Sequence, residues 1–136
     1  MKASVQWVDN MRFVGHSETG HSTVFDCDSS GSSSAPSPME TVAMSLGTCA
    51  SIDVIMILEK SKQDVTDCKV NISGERAESA PRVFTDIHLE FVITGHDLKE
   101  KQVSRAVELS AEKYCSVKLM LDKAVNITHS YIIEAA

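Results

Sequence analysis

The sequence predicts an α+β fold, and three observations carry that expectation. Short segments near both ends and in the middle of the chain alternate apolar with polar residues, the period of a half-buried strand. Two longer segments instead carry helical spacing and helix-start signals. The two kinds fall in runs (three strands, a helix, two strands, a helix, a strand) rather than in the alternation of a doubly wound parallel sheet. With 136 residues there is room for one core. A single domain over 1–136 is expected, large enough to bury about two-thirds of its unfolded surface.

Val5 and Trp7 alternate with polar neighbours and predict a first strand over 3–8. Residues 11–14 and 22–25 read as two more short strands, joined through Glu18-Thr19-Gly20. Residues 28–35 are almost all serine, aspartate and glycine, and predict a polar loop. Ser37-Pro38-Met39-Glu40 then has an N-cap serine, a proline at the first helical position and a glutamate at the third. A long helix is predicted from there to about Lys62. Val42, Leu46, Cys49, Asp53 and Met56 share one stripe of it. Ala43, Gly47, Ala50 and Val54 form a second stripe of small residues, a spacing that permits close backbone approach.

Residues 65–75 place Cys68, Val70 and Ile72 on one face of a strand, and residues 83–93 do the same for Val83, Ile87, Leu89, Phe91 and Ile93. After Thr94-Gly95-His96, Asp97 is expected to cap a second helix with Glu100 at its third position, running to Tyr114 or beyond. On it Val107, Ala111, Cys115 and Leu119 share a stripe. Residues 126–134 predict a closing strand, and no internal repeat is present.

Composition bounds the function. Thirteen Lys and Arg against nineteen Asp and Glu give a net charge of −6. A non-specific nucleic-acid or membrane-surface binder needs a basic face, so neither partner is expected. The longest apolar run, Val54 to Leu58, is far short of the ~20 residues that span a bilayer. The first six residues alternate like a strand and lack the apolar region of a signal peptide. A cytoplasmic protein with reduced thiols is the expectation.

The four cysteines, Cys27, Cys49, Cys68 and Cys115, lie too far apart for zinc-ribbon spacing, and the five histidines form no HxxxH pair. No phosphate-binding, dinucleotide-binding or serine-nucleophile motif is present. What remains is thiol chemistry without metal or cofactor; a metal site of Cys49, Cys115 and a histidine is disfavoured by the missing spacing. Cys49 and Cys115 sit on apolar helix stripes, where a buried core cysteine is the plain alternative to a reactive one. Cys68 reads as core and Cys27 as a bystander beside the loop. Glu40 is explained by a capping box with Ser37 and by the helix dipole. His21, His88 and His129 stand singly on strands, in surface or cross-strand roles.

Pro38-Met39-Glu40, followed by a small-residue helix reaching Gly47-Thr48-Cys49, resembles the first signature of the OsmC/Ohr family of osmotically inducible and organic-hydroperoxide-resistance proteins. Ala111-Glu112-Lys113-Tyr114-Cys115-Ser116-Val117 resembles the second, the strand order is similar over nearly the whole chain, and the sequence resembles the YhfA-like subgroup. The resemblance implies an OsmC-like fold and an intertwined homodimer, its long central helices wrapped by antiparallel sheets. It implies a thiol-dependent peroxidase acting on organic hydroperoxides or hydrogen peroxide. In that reading Cys49 is the attacking thiolate, Cys115 the resolving thiol, and an external dithiol the reductant. The family's activating arginine, partner to the glutamate matched by Glu40, falls on Arg12 or Arg82. Ser116 stands where members commonly have proline. The rival expectation is a non-catalytic dimer of the same fold that binds a small molecule, both cysteines buried in its core.

The Ala43-Gly47-Ala50 face and an apolar circumference independently suggest a helix buried on all sides in a dimer. Helix geometry adds a constraint on Glu40. It precedes Cys49 by nine residues, which is about 900° of rotation and about 13.5 Å of rise. The two side chains therefore point to opposite sides, and a Glu40 serving the site is expected to serve that of the partner chain.

Overall fold

The structure, a computed structural model, describes residues 1–27 and 30–136; Asp28 and Ser29, at the start of the expected polar loop, lie outside the described residues. Two compact units divide the chain, residues 1–42 and residues 43–136.

In the first unit, β1 (Ala3–Asp9), β2 (Arg12–Ser17) and β3 (Ser22–Phe25) form an antiparallel meander in that order. Trp7 stands opposite Phe13, and Phe13 opposite Phe25. The β1–β2 turn uses Asn10 at φ 45, a conformation asparagine tolerates better than most residues. The Trp7 indole N–H donates to the Asn10 carbonyl at 2.8 Å. Asp26 is buried and accepts from the Ser34 backbone N–H at 2.8 Å and hydroxyl at 3.0 Å, which closes the loop. Val5, Trp7 and Val8 are exposed on the sheet.

Helix α1 runs over Pro38–Lys60 and begins where the sequence places it. The Glu40 N–H donates to Ser37 Oγ at 3.2 Å, and the Ser37 N–H donates to Glu40 Oε2 at 2.8 Å, a reciprocal capping box. It ends two residues short of Lys62, which adopts φ 58. The Lys62 N–H reaches the Glu59 carbonyl and the Gln63 N–H the Leu58 carbonyl, the paired bonds that close a helix over a left-handed residue.

The second unit packs the remainder of α1 with β4 (Asp64–Arg76), β5 (Phe84–His96), α2 (Glu100–Leu109), a π turn (Ser110–Tyr114), α3 (Ser116–Leu121) and β6 (Asn126–Ala135). Its sheet has the order β4-β5-β6. Here an expectation is corrected: β4 and β5 pair antiparallel, but β6 runs parallel to β5. The crossover through α2, the π turn and α3 carries the chain back to the starting edge, so this sheet is mixed. Ile87, Leu89, Phe91 and Ile93 alternate inward from β5 and form one core with Leu46, Ala50, Val54 and Leu58 of α1 and Val103, Ala106 and Val107 of α2. Val83, expected on the same face, precedes the strand and is exposed.

The second helix departs from its expected form at both ends. Asp97 does not cap it: this residue has φ 48, and Lys99 occupies the cap position with no side-chain bond. The Lys99 N–H is taken instead by Gln63 Oε1 at 2.9 Å. At the other end the helix widens into the π turn and breaks at Cys115, whose backbone is extended at φ −70, ψ 102. Cys115 therefore leaves the stripe it was expected to share with Leu119.

Two glycines are required by close approach. A Cβ on Gly95 would lie 2.2 Å from the Asp64 carbonyl oxygen, a backbone atom that cannot move away. A Cβ on Gly47 would lie 2.6 Å from Ile72 Cδ1. Gly47 thus lets α1 settle onto β4 of its own chain, and Gly47 and Ala50 are buried there. Two members of the small-residue stripe thus have neighbours within the chain: Gly47 against Ile72 and Ala50 against Ser110. The outward apolar side chains of α1 are Met44, Ile52 and Met56, 45%, 55% and 48% exposed. By length and composition α1 could cross a membrane, with mean hydropathy 1.8 over its best window; the longest unbroken apolar run understated it. Its Leu46, Val54 and Leu58 are fully buried in the protein core, which fits a core helix.

Candidate functional site

Two cysteines distant in sequence meet in the second unit. Cys49 lies midway along α1 and is half-buried; Cys115 is fully buried. The π turn places Cys115. The buried Ser110 hydroxyl donates to the Ala50 carbonyl at 3.0 Å and fastens the turn to α1 one residue beyond Cys49. The Cys115 N–H then reaches back to the Ser110 carbonyl at 2.9 Å, the five-residue step of a π turn. Past it the extended backbone turns Cys115 into the cap of α3. Its Sγ accepts from the Lys118 N–H at 3.4 Å, and its carbonyl accepts from the Leu119 N–H.

Asp53 completes the cluster. It stands one helical turn beyond Cys49, on the same face of α1. Cys49 Sγ, Cys115 Sγ and an Asp53 carboxylate oxygen all lie within 4.8 Å of one another. Asp53 Oδ2 is buried and has no hydrogen-bond partner among the described residues. Burial pushes the Asp53 carboxyl above its ordinary range. Burial also pushes the Cys115 thiol up to about 11; the Lys118 N–H opposes this, while the neighbouring Cys49 and Asp53 add to it. The Cys115 thiol is accordingly protonated at neutral pH.

The other candidates are placed as follows. Glu40 is engaged in the capping box with Ser37. Arg12 is ion-paired with Asp9 across the β1–β2 turn, which strengthens its hold on its proton. Arg82 is exposed in the turn before β5, its Nε donating to the Ala77 carbonyl at 3.3 Å. Among the described residues it makes no hydrogen bond to Cys49 or Cys115. Cys27 is exposed. Cys68 is half-buried, its thiol pushed up chiefly by burial. His88 bridges Thr128 and Ser130 across the sheet, at 2.7 and 2.9 Å, the cross-strand role expected of it.

Asp53 and Ser110 were not singled out from the sequence. The spacing Cys49-x3-Asp53 placed the carboxylate on the cysteine's stripe, and that was the available signal. Nothing in the polar character of Ser110 distinguishes it from a surface serine.

A family model described as OsmC-like protein matches residues 31–130. The chain belongs to the OsmC-like family. It is 57% identical over 136 residues to Protein YhfA of Escherichia coli K12, covering 100% of both chains. Among solved structures it is similar to a hypothetical protein from Aquifex aeolicus VF5, with TM-score 0.88, 28% identity, and 99% of this chain and 96% of that one covered. A Legionella pneumophila protein shares the fold at TM-score 0.71 and 16% identity, with 96% and 94% covered. That protein is described as an organic hydroperoxide resistance protein OsmC, a predicted redox protein and regulator of sulfide bond formation.

The sheltered Cys115 thiol sets a pH dependence. Only the thiolate reacts with iodoacetamide, so labelling of Cys115 in the native protein should rise with a midpoint near pH 11. Exposed Cys27 should be labelled first. Mass spectrometry of peptides from a pH series reads both; a Cys115 midpoint near the ~8.5 of a free thiol would contradict its burial.

Proposed function

We propose that this chain is a thiol-dependent peroxidase that reduces organic hydroperoxides or hydrogen peroxide through Cys49 and Cys115. One observation carries the reading: two sulfurs from separate segments lie within 4.8 Å of each other, one half-buried and one fully buried. The half-buried Cys49 thiolate attacks the terminal peroxide oxygen. The O–O bond breaks, an alcohol (or water, from hydrogen peroxide) leaves after protonation, and Cys49 becomes a sulfenic acid. The Cys115 sulfur then attacks the Cys49 sulfur. A disulfide forms, and the thiol proton leaves with the displaced hydroxide as water. An external dithiol reduces the disulfide and is itself oxidised. This places the work in the cytoplasm, where such reductants are maintained. The description of the Legionella relative supports the substrate class. The partial exposure of Cys49 favours this reading over a dimer with both cysteines in its core.

The reading includes a homodimer of single 1–136 domains. Its support is the outward stripe of Met44, Ile52 and Met56, which lines an apolar groove of about 580 Å3 with Cys68, Val70 and Ile72. A second copy covering that groove would remove the exposed apolar surface from water. Glu40, with Arg12 or Arg82, completes the site by orienting a guanidinium that favours the Cys49 thiolate and contacts the peroxide. The nine-residue separation of Glu40 and Cys49 along α1, about half a turn past two full turns, supports Glu40 serving the partner's site.

Steady-state peroxide consumption with a dithiol reductant checks the cysteine roles. Cys49→Ser should lose turnover entirely. Cys115→Ser should consume one equivalent and hold a sulfenic acid that dimedone traps. Full activity in Cys49→Ser would end the proposal.

Light scattering should give a dimer mass. A mixed dimer of one Glu40→Ala chain and one Cys49→Ser chain then tests the crossing. Its one intact Cys49 would be served by the other chain's Glu40, so about half the parent activity should remain. Activity as low as that of the Glu40→Ala homodimer would place Glu40 within its own chain's site.

A further inference from the structure

Asp53 has no part in the peroxide chemistry above, yet its placement is costly. A buried carboxylate oxygen without a donor gives up its solvation for nothing in return. The two sulfurs beside it are likewise acidic groups, and among the described residues they and Asp53 form one compact group of possible metal ligands. Two thiols, once deprotonated, and a carboxylate are a donor set for a cation.

The distances suit one. Zinc holds thiolate sulfur at about 2.3 Å and carboxylate oxygen at about 2.0–2.2 Å in a tetrahedron. That places the donors roughly 3.4–3.8 Å apart. The present spread of up to 4.8 Å closes by about 1 Å, within reach of side-chain rotation. Magnesium and calcium prefer all-oxygen sets, whereas paired thiolates with a carboxylate favour a borderline-soft divalent ion. Three protein donors leave the fourth position for water.

We propose that the reduced chain binds one zinc ion through Cys49 Sγ, an Asp53 carboxylate oxygen and Cys115 Sγ, and that oxidising the two cysteines to a disulfide releases it. Binding displaces both thiol protons. Oxidation removes two electrons from the sulfurs, joins them, and leaves Asp53 as the single remaining donor. A zinc-bound Cys49 sulfur has its lone pair engaged and is shielded from peroxide, so zinc and peroxide compete for the same reduced site. The inference goes beyond the peroxidase reading, because it needs the dithiol and Asp53 but no peroxide.

Equilibrium dialysis with zinc chloride tests it, using full-length Cys27→Ser protein so that the exposed thiol adds no background. The reduced protein should take up one zinc per chain. Cobalt(II) in its place should give a thiolate-to-metal charge-transfer band. Protein oxidised with diamide, a thiol oxidant unrelated to peroxide, should bind neither metal at the same concentrations. Asp53→Asn, checked for native circular dichroism, should weaken zinc binding at least about tenfold while keeping a sulfur charge-transfer band. Equal uptake by the reduced and disulfide forms would overturn the proposal, as would unchanged affinity in folded Asp53→Asn, since either result means adventitious surface binding. Should Asp53→Asn fail to fold, the comparison of the reduced and disulfide forms decides alone. Peroxidase turnover is measured separately without added metal, so failure of either reading leaves the other standing.

Discussion

The hydrogen bond from the buried Ser110 hydroxyl to the Ala50 carbonyl is the contact on which the site depends. An α-helix continued through residue 115 would have kept Cys115 on the apolar stripe with Val107 and Ala111. Instead the π turn inserts one extra residue, the backbone extends at Cys115, and the next helix starts from its side chain. Ser110 anchors that irregular segment to the middle of α1, beside Cys49. A buried hydroxyl is tolerated there because its donor is used; left without an acceptor, that hydroxyl would cost about 1–3 kcal/mol. The packing beneath is ordinary: aliphatic side chains of β5, α1 and α2 fix where both segments lie.

The local charge balance shapes the chemistry. Asp53 is an ionisable neighbour of the sulfur pair, and burial and that carboxyl both favour the protonated Cys115 thiol. Cys115 must give up that proton before its sulfur can attack another, because the thiolate is the nucleophile in every such step. In the proposed chemistry a cation beside the sulfur pair, a guanidinium or a metal ion, would favour the thiolate form.

Much of this was legible in the sequence where local signals agree with the fold. Ser37, Pro38 and Glu40 mark the start of α1 because capping is a local interaction. The alternation of Ile87, Leu89, Phe91 and Ile93 marks β5 because one face is buried. The pairing partner of β6 was not legible, since strand periodicity is the same in parallel and antiparallel sheets. Asp97 misled because its capping pattern is local while Gln63, which takes the Lys99 amide, is distant in sequence. The break at Cys115 was hidden for a similar reason: it is held by Ser110 contacting Ala50, sixty residues away. Gly47 was read as permitting close approach, and the structure shows its own strand β4 as a neighbour that makes that approach, a pairing distant in sequence. For the site, the two cysteines came from family signatures, whereas Asp53 carries no motif and becomes visible only when both sulfurs are in place.

The central claim is that Cys49 and Cys115 form one redox pair. It is tested most directly by treating the reduced protein with one equivalent of an organic hydroperoxide, blocking free thiols, and mapping the peptides by mass spectrometry. The account predicts a single intramolecular disulfide joining Cys49 to Cys115, with Cys27 and Cys68 recovered in blocked form. A disulfide involving Cys27 or Cys68, or a Cys49 that stays a thiol while peroxide is consumed, would contradict it.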